Sequence, residues 1–202
     1  MSPEQISAQE IEWKQPSSRK VAMILVIMTE SALFIIFVIA YLFYIGKSLV
    51  PPYPHQLLEF PREFPWLGSI LLFGSSGTVM VAEHHLKKGS TDGFHLWWGI
   101  TLACGIGFLI WTGTEWHKLI YHDGLTISTN LFGTTFYSLV GLHASHVIVG
   151  AILLSIILIA SLRGQIQHRH HENIEIISWY WHFVDCVWAV VVTVVYIISA
   201  NS

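Results

Sequence analysis

Charged side chains are scarce in this chain. Only 11% of its 202 residues are Asp, Glu, Lys or Arg, whereas 53% are hydrophobic. Because soluble domains carry roughly 25% charged residues, this composition argues against a soluble globular protein. The formal net charge of −3 is small, and no block of like charges indicates a nucleic-acid partner. The composition therefore predicts a membrane protein.

Cysteine is nearly absent as well. The two cysteines, Cys104 and Cys186, both lie within apolar segments. One such pair provides neither the disulfide framework of a small secreted domain nor the spacing of a zinc site. We therefore interpret both as small apolar residues inside the fold.

Long apolar runs, by contrast, dominate the sequence. Five runs cover residues 21–46, 66–84, 96–116, 132–161 and 177–199. Each is long enough to span ~30 Å of hydrocarbon at a helical rise of 1.5 Å per residue. The prolines of the longest connection, 47–65, are incompatible with a regular helix there. The sequence predicts an all-α polytopic membrane protein, with a five-helix bundle over residues 21–200.

The positive charges predict the orientation of that bundle. Seven of the ten Lys and Arg residues lie at one end of the predicted spans and three lie at the other. The first 20 residues contain six charged side chains and no apolar core, which is not the pattern of a secretory signal. Since Lys and Arg favour the cytoplasmic side, we expect residues 1–20 to be a cytoplasmic tail and the C-terminus to be periplasmic.

Five ionisable groups fall inside the spans: Glu30, His143, His146, His182 and Asp185. Counted from the predicted span centres, Glu30 and Asp185 lie about 5 Å towards the cytoplasm and His146 lies near the midplane. We therefore expect a polar layer that joins the first, fourth and fifth spans and includes a contact between Glu30 and His146. Asp185 is interpreted as a tie between helices. Glu30 is either a similar tie or a group that handles protons.

The histidine depths bear on cofactors. A bis-histidine haem needs two imidazoles at similar depth on facing helices. His182 is offset by about 9 Å from His146 and by about 14 Å from His143, which lies on the same span as His146. A metal ion held by His143 and His146 would need a third ligand from elsewhere. We expect no catalytic centre, haem or metal in this chain.

Basic and imidazole groups also cluster between the spans. His84 and His85 close the second span, and Arg163 and Arg169 follow the fourth. Such groups at the cytoplasmic face bind anionic lipid headgroups, and these four residues are our candidates for that role.

Several motifs resemble one family. The segment 179–185 reads Trp-Tyr-Trp-His-Phe-Val-Asp, and the segment 141–150 reads Gly-Leu-His-Ala-Ser-His-Val-Ile-Val-Gly. With Glu30 in the first span, both resemble subunit III of the haem–copper respiratory oxidases. The mitochondrial form has seven spans, and this chain is similar to the five-span bacterial versions that lack the first two.

The resemblance implies a function. It implies an accessory subunit without redox centres in the bacterial inner membrane, in a proton-pumping cytochrome c or quinol oxidase. The main partner would be subunit I, which holds the haems and copper, with subunit II and small subunits beside it. Bound phospholipid and support of proton uptake and sustained turnover are also implied. Glu30 matches the family's buried, carbodiimide-reactive carboxylate. The alternatives are a small proton- or ion-conducting membrane protein, or the related subunit of a nitric-oxide reductase system.

Overall fold

The computed structural model of the chain describes residues 17–57, 65–165 and 171–199. The helices are α1 (Ser18–Tyr44), α2 (Pro54–Leu57), α3 (Trp66–Lys87), α4 (Thr91–Tyr121), α5 (Leu131–Leu162) and α6 (His171–Val192). A π-helical segment, Thr193–Ile198, continues α6. Five helices in these ranges are long and apolar enough to cross a membrane, and the same ranges contain no strand. The all-α, multi-pass prediction is confirmed.

The helices extend beyond the predicted apolar spans. The third span, expected at 96–116, belongs to a helix of 31 residues, Thr91–Tyr121. Helix α1 begins inside the predicted tail because the Ser17 side chain accepts a hydrogen bond from the Lys20 backbone N–H and caps the first turn. Hydropathy marks only the part of a helix that lipid accepts, whereas backbone hydrogen bonding continues into polar sequence.

The proline-rich connection contains one short helix that the prolines were expected to prevent. Helix α2 is a single turn of four residues that begins at Pro54. Proline is tolerated at the first position of a helix, where its missing N–H would have no partner in any case. Residues 58–64 of this connection lie outside the described ranges.

Helix α6 lies at the centre of the bundle. It packs against α1, α3 and α5, while α3 pairs with α4 and α4 packs on α5. In its most apolar window 44% of residues are buried, compared with 6% in the corresponding window of α1. Helix α1 is therefore the peripheral helix. We call the end of the bundle where α1, α4 and α6 begin the N-terminal face, and the opposite end the C-terminal face.

The Trp181 side chain of α6 lies against α3, α4 and α5 at once. The indole is fully buried, and its Nε1 donates a 2.8 Å hydrogen bond to Ser75 Oγ on α3. A Cβ added at Gly105 of α4 would lie 2.6 Å from the indole, and one at Gly150 of α5 would lie 2.8 Å from it. Only glycine leaves room for this ring, so the two glycines set the spacing of α4 and α5 around α6.

Polar contacts hold α1 to α6 at both ends. At the N-terminal face, Lys20 Nζ lies 2.8 Å from Glu175 Oε2. At the C-terminal face, the buried Tyr41 hydroxyl and Ser199 Oγ are 2.6 Å apart. These contacts keep the peripheral helix aligned with the central one along its length.

Candidate functional site at the middle of the bundle

Polar side chains gather halfway along the spanning helices. Glu30 is the thirteenth of 27 residues in α1, and Ser76 is the eleventh of 22 in α3. His146 is the sixteenth of 32 residues in α5, and Asp185 is the fifteenth of 28 in α6 with its π-helical continuation. Because α6 begins at His171 rather than near residue 177, Asp185 lies at the midpoint of the helix, whereas its predicted depth was counted from the centre of the apolar span.

Glu30 and His146 form a direct pair. Glu30 Oε2 lies 3.1 Å from His146 Nε2, and His146 Nδ1 lies 2.8 Å from the Leu142 carbonyl oxygen. A carbonyl can only accept, so Nδ1 carries a hydrogen. A hydrogen bond between Nε2 and the carboxyl oxygen then requires one proton, carried by either atom. The geometry therefore creates a site that holds one proton between two side chains.

The Glu30–His146 pair borders a pocket of about 240 Å³ between α1, α5 and α6. The pocket is lined by Val26, Glu30, Ser145, His146, Val149 and Tyr180. The Glu30 side chain is 32% exposed and that of His146 is 13% exposed, so the carboxyl is the more accessible group of the pair. On the other side, the Phe34 ring packs 4.9 Å from the His146 ring.

Asp185 belongs to a second polar group. Ser76 Oγ on α3 contacts Asp185 Oδ2 and lies 3.0 Å from His182 Nδ1. Asp185 is only 3% exposed, and its Oδ1 has no hydrogen-bond partner among the described residues. The predicted layer joining α1, α5 and α6 is therefore divided into two groups. The Tyr180 side chain faces α5. Asp185 is five residues further along α6, so its side chain points about 140° away from that of Tyr180 around the helix axis.

His143 lies in an aromatic environment rather than in either polar group. The residue is fully buried, and its ring stacks on Trp188 with centroids 5.1 Å apart. The Phe108 ring is nearly perpendicular to the His143 ring, with centroids 5.7 Å apart, and the Phe34 ring centroid lies 6.5 Å from that of His143. Neither ring nitrogen of His143 has a hydrogen-bond partner within the described part of the chain. In the same ranges, no three His, Cys, Asp or Glu residues are placed to hold a metal ion.

The candidate headgroup residues are at the N-terminal face. His84 is exposed in the last turn of α3, and Arg163 is exposed directly after α5. His85 is half-buried because its ring lies against Gly93, where an added Cβ would be 2.3 Å from Nδ1. Arg169 lies outside the described residues. The structure thus places three of the four candidates at the same face of the bundle.

Two hydroxyl groups of this region were missed by the sequence analysis. Ser76 contacts both polar side chains of the second group, and the Tyr180 hydroxyl donates to the His146 carbonyl oxygen at 3.4 Å. Ser76 lies in the sequence Gly-Ser-Ser-Gly at 74–77, where two hydroxyls interrupt an apolar run. That interruption is a signal for an interhelical hydrogen bond, but it does not identify the partner.

Comparison with known proteins identifies the family. The family model described as cytochrome c oxidase subunit III matches residues 15–200. Cytochrome c oxidase subunit 3 of a Synechocystis species is 34% identical over 185 residues, which cover 91% of this chain and 77% of the relative. The Bacillus sp. (strain PS3) subunit is 32% identical over 84% of this chain and 81% of the relative. The Sus scrofa subunit is 34% identical over 63% of this chain and 48% of the relative. The predicted resemblance is confirmed, and the chain belongs to the cytochrome c oxidase subunit III family.

Proposed function

We propose that this chain is the accessory, non-redox subunit III of a proton-pumping haem–copper terminal oxidase in a bacterial inner membrane. Its family membership and its five spanning helices support this assignment. In the proposed complex, the main partner is the catalytic subunit I, which carries the haems and copper, and subunit II lies beside it. The chain itself supplies no redox group.

The proposed orientation has the N-terminal face in the cytoplasm. Among the described residues, Arg19, Lys20, Lys87, Lys88 and Arg163 lie at this face. The C-terminal face has Lys47 and Lys118. This excess of positive charge is the pattern of a cytoplasmic surface.

The Glu30–His146 pair is the observation that carries a role in proton uptake. The pair holds one proton at the middle of the bundle, and it borders a pocket rather than the closed core. A proton carried by either Glu30 Oε2 or His146 Nε2 moves between them over a single hydrogen bond. In this proposal the pair buffers protons during turnover and so supports their supply to the catalytic subunit.

We also propose that the chain binds a phospholipid at the N-terminal face. Arg163 and His84 are exposed there, and both offer hydrogen-bond donors to a phosphate group, to which Arg163 adds its positive charge. Native mass spectrometry of the complex measures this directly. The double variant Arg163→Ala, His84→Ala is expected to retain less phospholipid than the wild type. Equal retention would show that these residues do not bind the headgroup.

Purification of the chain with its partners tests the assignment as a whole. Affinity-tagged chain extracted in mild detergent is expected to copurify with an oxidase catalytic subunit, identified by mass spectrometry. Copurification with a nitric-oxide reductase catalytic subunit instead would establish that the chain is the related subunit of a nitric-oxide reductase system. Isolation of the folded chain alone, with proton flux in liposomes, would instead establish a small conducting protein.

The substitution Glu30→Gln tests the proton role. Glutamine still donates a hydrogen bond to His146 Nε2, so the complex is expected to assemble normally. The glutamine amide cannot exchange a proton with His146 at neutral pH, so sustained oxidase turnover and proton uptake are expected to fall. The matched control is Ser155→Ala, which removes a hydroxyl of the same helix as His146 that bonds to the Ala151 carbonyl and does not line the pocket, and it is expected to leave turnover unchanged. Unchanged turnover in Glu30→Gln would contradict the proton role, and lost assembly would show that Glu30 is structural.

A further inference from the structure

One face of the bundle forms a groove along α6. Helices α1 and α3 both pack on α6, so they form the walls and α6 forms the floor. The floor consists of His182, Cys186, Ala189 and Thr193, which recur along one stripe of the helix. Cys186, Ala189 and Thr193 are exposed, so the prediction that Cys186 lies inside the fold is wrong, and His182 is half-buried. We call this surface the α6 groove.

The wall formed by α1 contains an apolar hollow of about 270 Å³. Ile35 and Ile39 of α1 line it opposite Cys186 and Val190 of α6. Ile35 is 57% exposed and Ile39 is 60% exposed, so the hollow opens outwards rather than into the core. Large apolar side chains of a neighbouring element would fill it and bury the exposed isoleucines.

The wall formed by α3 contains a notch at the same height as the polar groups. Gly77 is exposed, and an added Cβ would meet no atom within 4 Å. Phe73 and Met80 flank it one turn away on either side, and they are 45% and 58% exposed. A small residue between two large ones is the surface into which a side chain of a second transmembrane helix packs.

His182 adds a polar requirement to this surface. With the Asp185 carboxylate ionised, the Ser76 hydroxyl donates to Oδ2 and, since it has only one hydrogen, accepts from His182 Nδ1. His182 Nε2 is then a hydrogen-bond acceptor, and the described residues provide no donor for it. The residue is the twelfth of 28 along its helix, so this acceptor lies deep in the spanning region. Hydrocarbon chains cannot satisfy it.

We infer that the α6 groove binds a transmembrane helix of a neighbouring subunit. This helix fills the hollow with large apolar side chains, packs one side chain into the notch at Gly77 and donates a hydrogen bond to His182 Nε2. A lipid acyl chain would fill the hollow, but it has no donor for His182. The inference rests on the proposed function, because it requires a partner subunit in the same membrane.

Two matched glycine substitutions test the groove. Gly77→Trp blocks the notch, whereas Gly113→Trp adds the same side chain to an exposed position on α4 that also has no atom within 4 Å. In the tagged complex, Gly77→Trp is expected to reduce the recovered partner subunit at least about tenfold, as loss of a central interface contact does. Gly113→Trp is expected to recover it at the wild-type level. Far-UV circular dichroism of each purified variant verifies that the helices are intact.

A second pair of variants tests the hydrogen bond. His182→Phe retains an aromatic ring but removes the acceptor, so partner recovery is expected to fall. His182→Gln restores an acceptor through its amide oxygen and is expected to recover the partner in part. If Gly77→Trp recovers its partner at the wild-type level, the inference is wrong and lipid covers the groove. The inference is also wrong if Gly113→Trp loses as much of the partner subunit as Gly77→Trp does. A wild-type chain that purifies without any partner would instead refute the proposed function.

Discussion

The substitution Gly105→Ala is expected to destabilise the bundle through Trp181. An added Cβ at Gly105 would lie 2.6 Å from Trp181 Cη2 and 3.1 Å from Cζ2. The indole cannot move away easily, because Gly150 lies against its neighbouring Cε3–Cζ3 edge, where an added Cβ would be 2.8 Å away, and Ser75 Oγ accepts the hydrogen bond from its Nε1. The clash must therefore be relieved by separating α4 from α6, which loosens packing around the central helix.

The magnitude follows from two opposing effects. Overpacking a well-packed core typically costs about 1–3 kcal/mol. Replacing glycine by alanine inside a helix recovers up to about 1 kcal/mol of backbone entropy. The net loss in the free energy of unfolding is then about 0–3 kcal/mol, and its central value of about 1.5 kcal/mol corresponds to a fall in Tm of about 3–6 °C for a chain of this size.

Thermal unfolding of the purified chain in detergent, followed by far-UV circular dichroism, measures this loss. Gly113→Ala is the matched control, because a Cβ there would meet no atom within 4 Å and its Tm should not fall. In a Trp181→Leu background the clash is absent, so Gly105→Ala should no longer lower Tm. Equal shifts at Gly105 and Gly113, or a loss that persists without Trp181, would refute this reasoning.

Two further predictions concern hydroxyl and carboxyl groups. Tyr41→Phe removes the hydrogen bond between the Tyr41 hydroxyl and the buried Ser199 hydroxyl and is expected to lower the free energy of unfolding by about 1 kcal/mol. Thermal unfolding in detergent measures this loss. If Ser199→Ala lowers stability as much in the Tyr41→Phe background as in the wild type, the two hydroxyls are not coupled. A hydrophobic carbodiimide is expected to modify Glu30, whose side chain is 32% exposed to a pocket, in preference to Asp185, which is 3% exposed. Peptide mass spectrometry with Glu30→Gln as the control locates the label, and preferential labelling of Asp185 would contradict the accessibility argument.

The spanning helices could be predicted because the cost of burying polar groups in lipid acts on each segment separately. The predicted positions of the helix ends were less accurate. Capping by Ser17 and the polar first turns of α4 and α6 depend on local hydrogen bonds rather than on hydropathy. The pairing of Glu30 with His146 followed from similar depth along two helices. Depth did not identify the partner of Asp185, because that partner depends on the direction in which the side chain leaves α6.

The sequence by itself determined the number of spanning helices, the family and the residues that carry charge into the membrane, because each is encoded in composition or in a local motif. Only the tertiary structure decided which of these residues meet. It paired Glu30 with His146, joined Asp185 to Ser76, and enclosed His143 among aromatic rings. The physical reason is rotational. Residues at equal depth can face opposite sides of a helix, and only packing against the neighbouring helices fixes those faces.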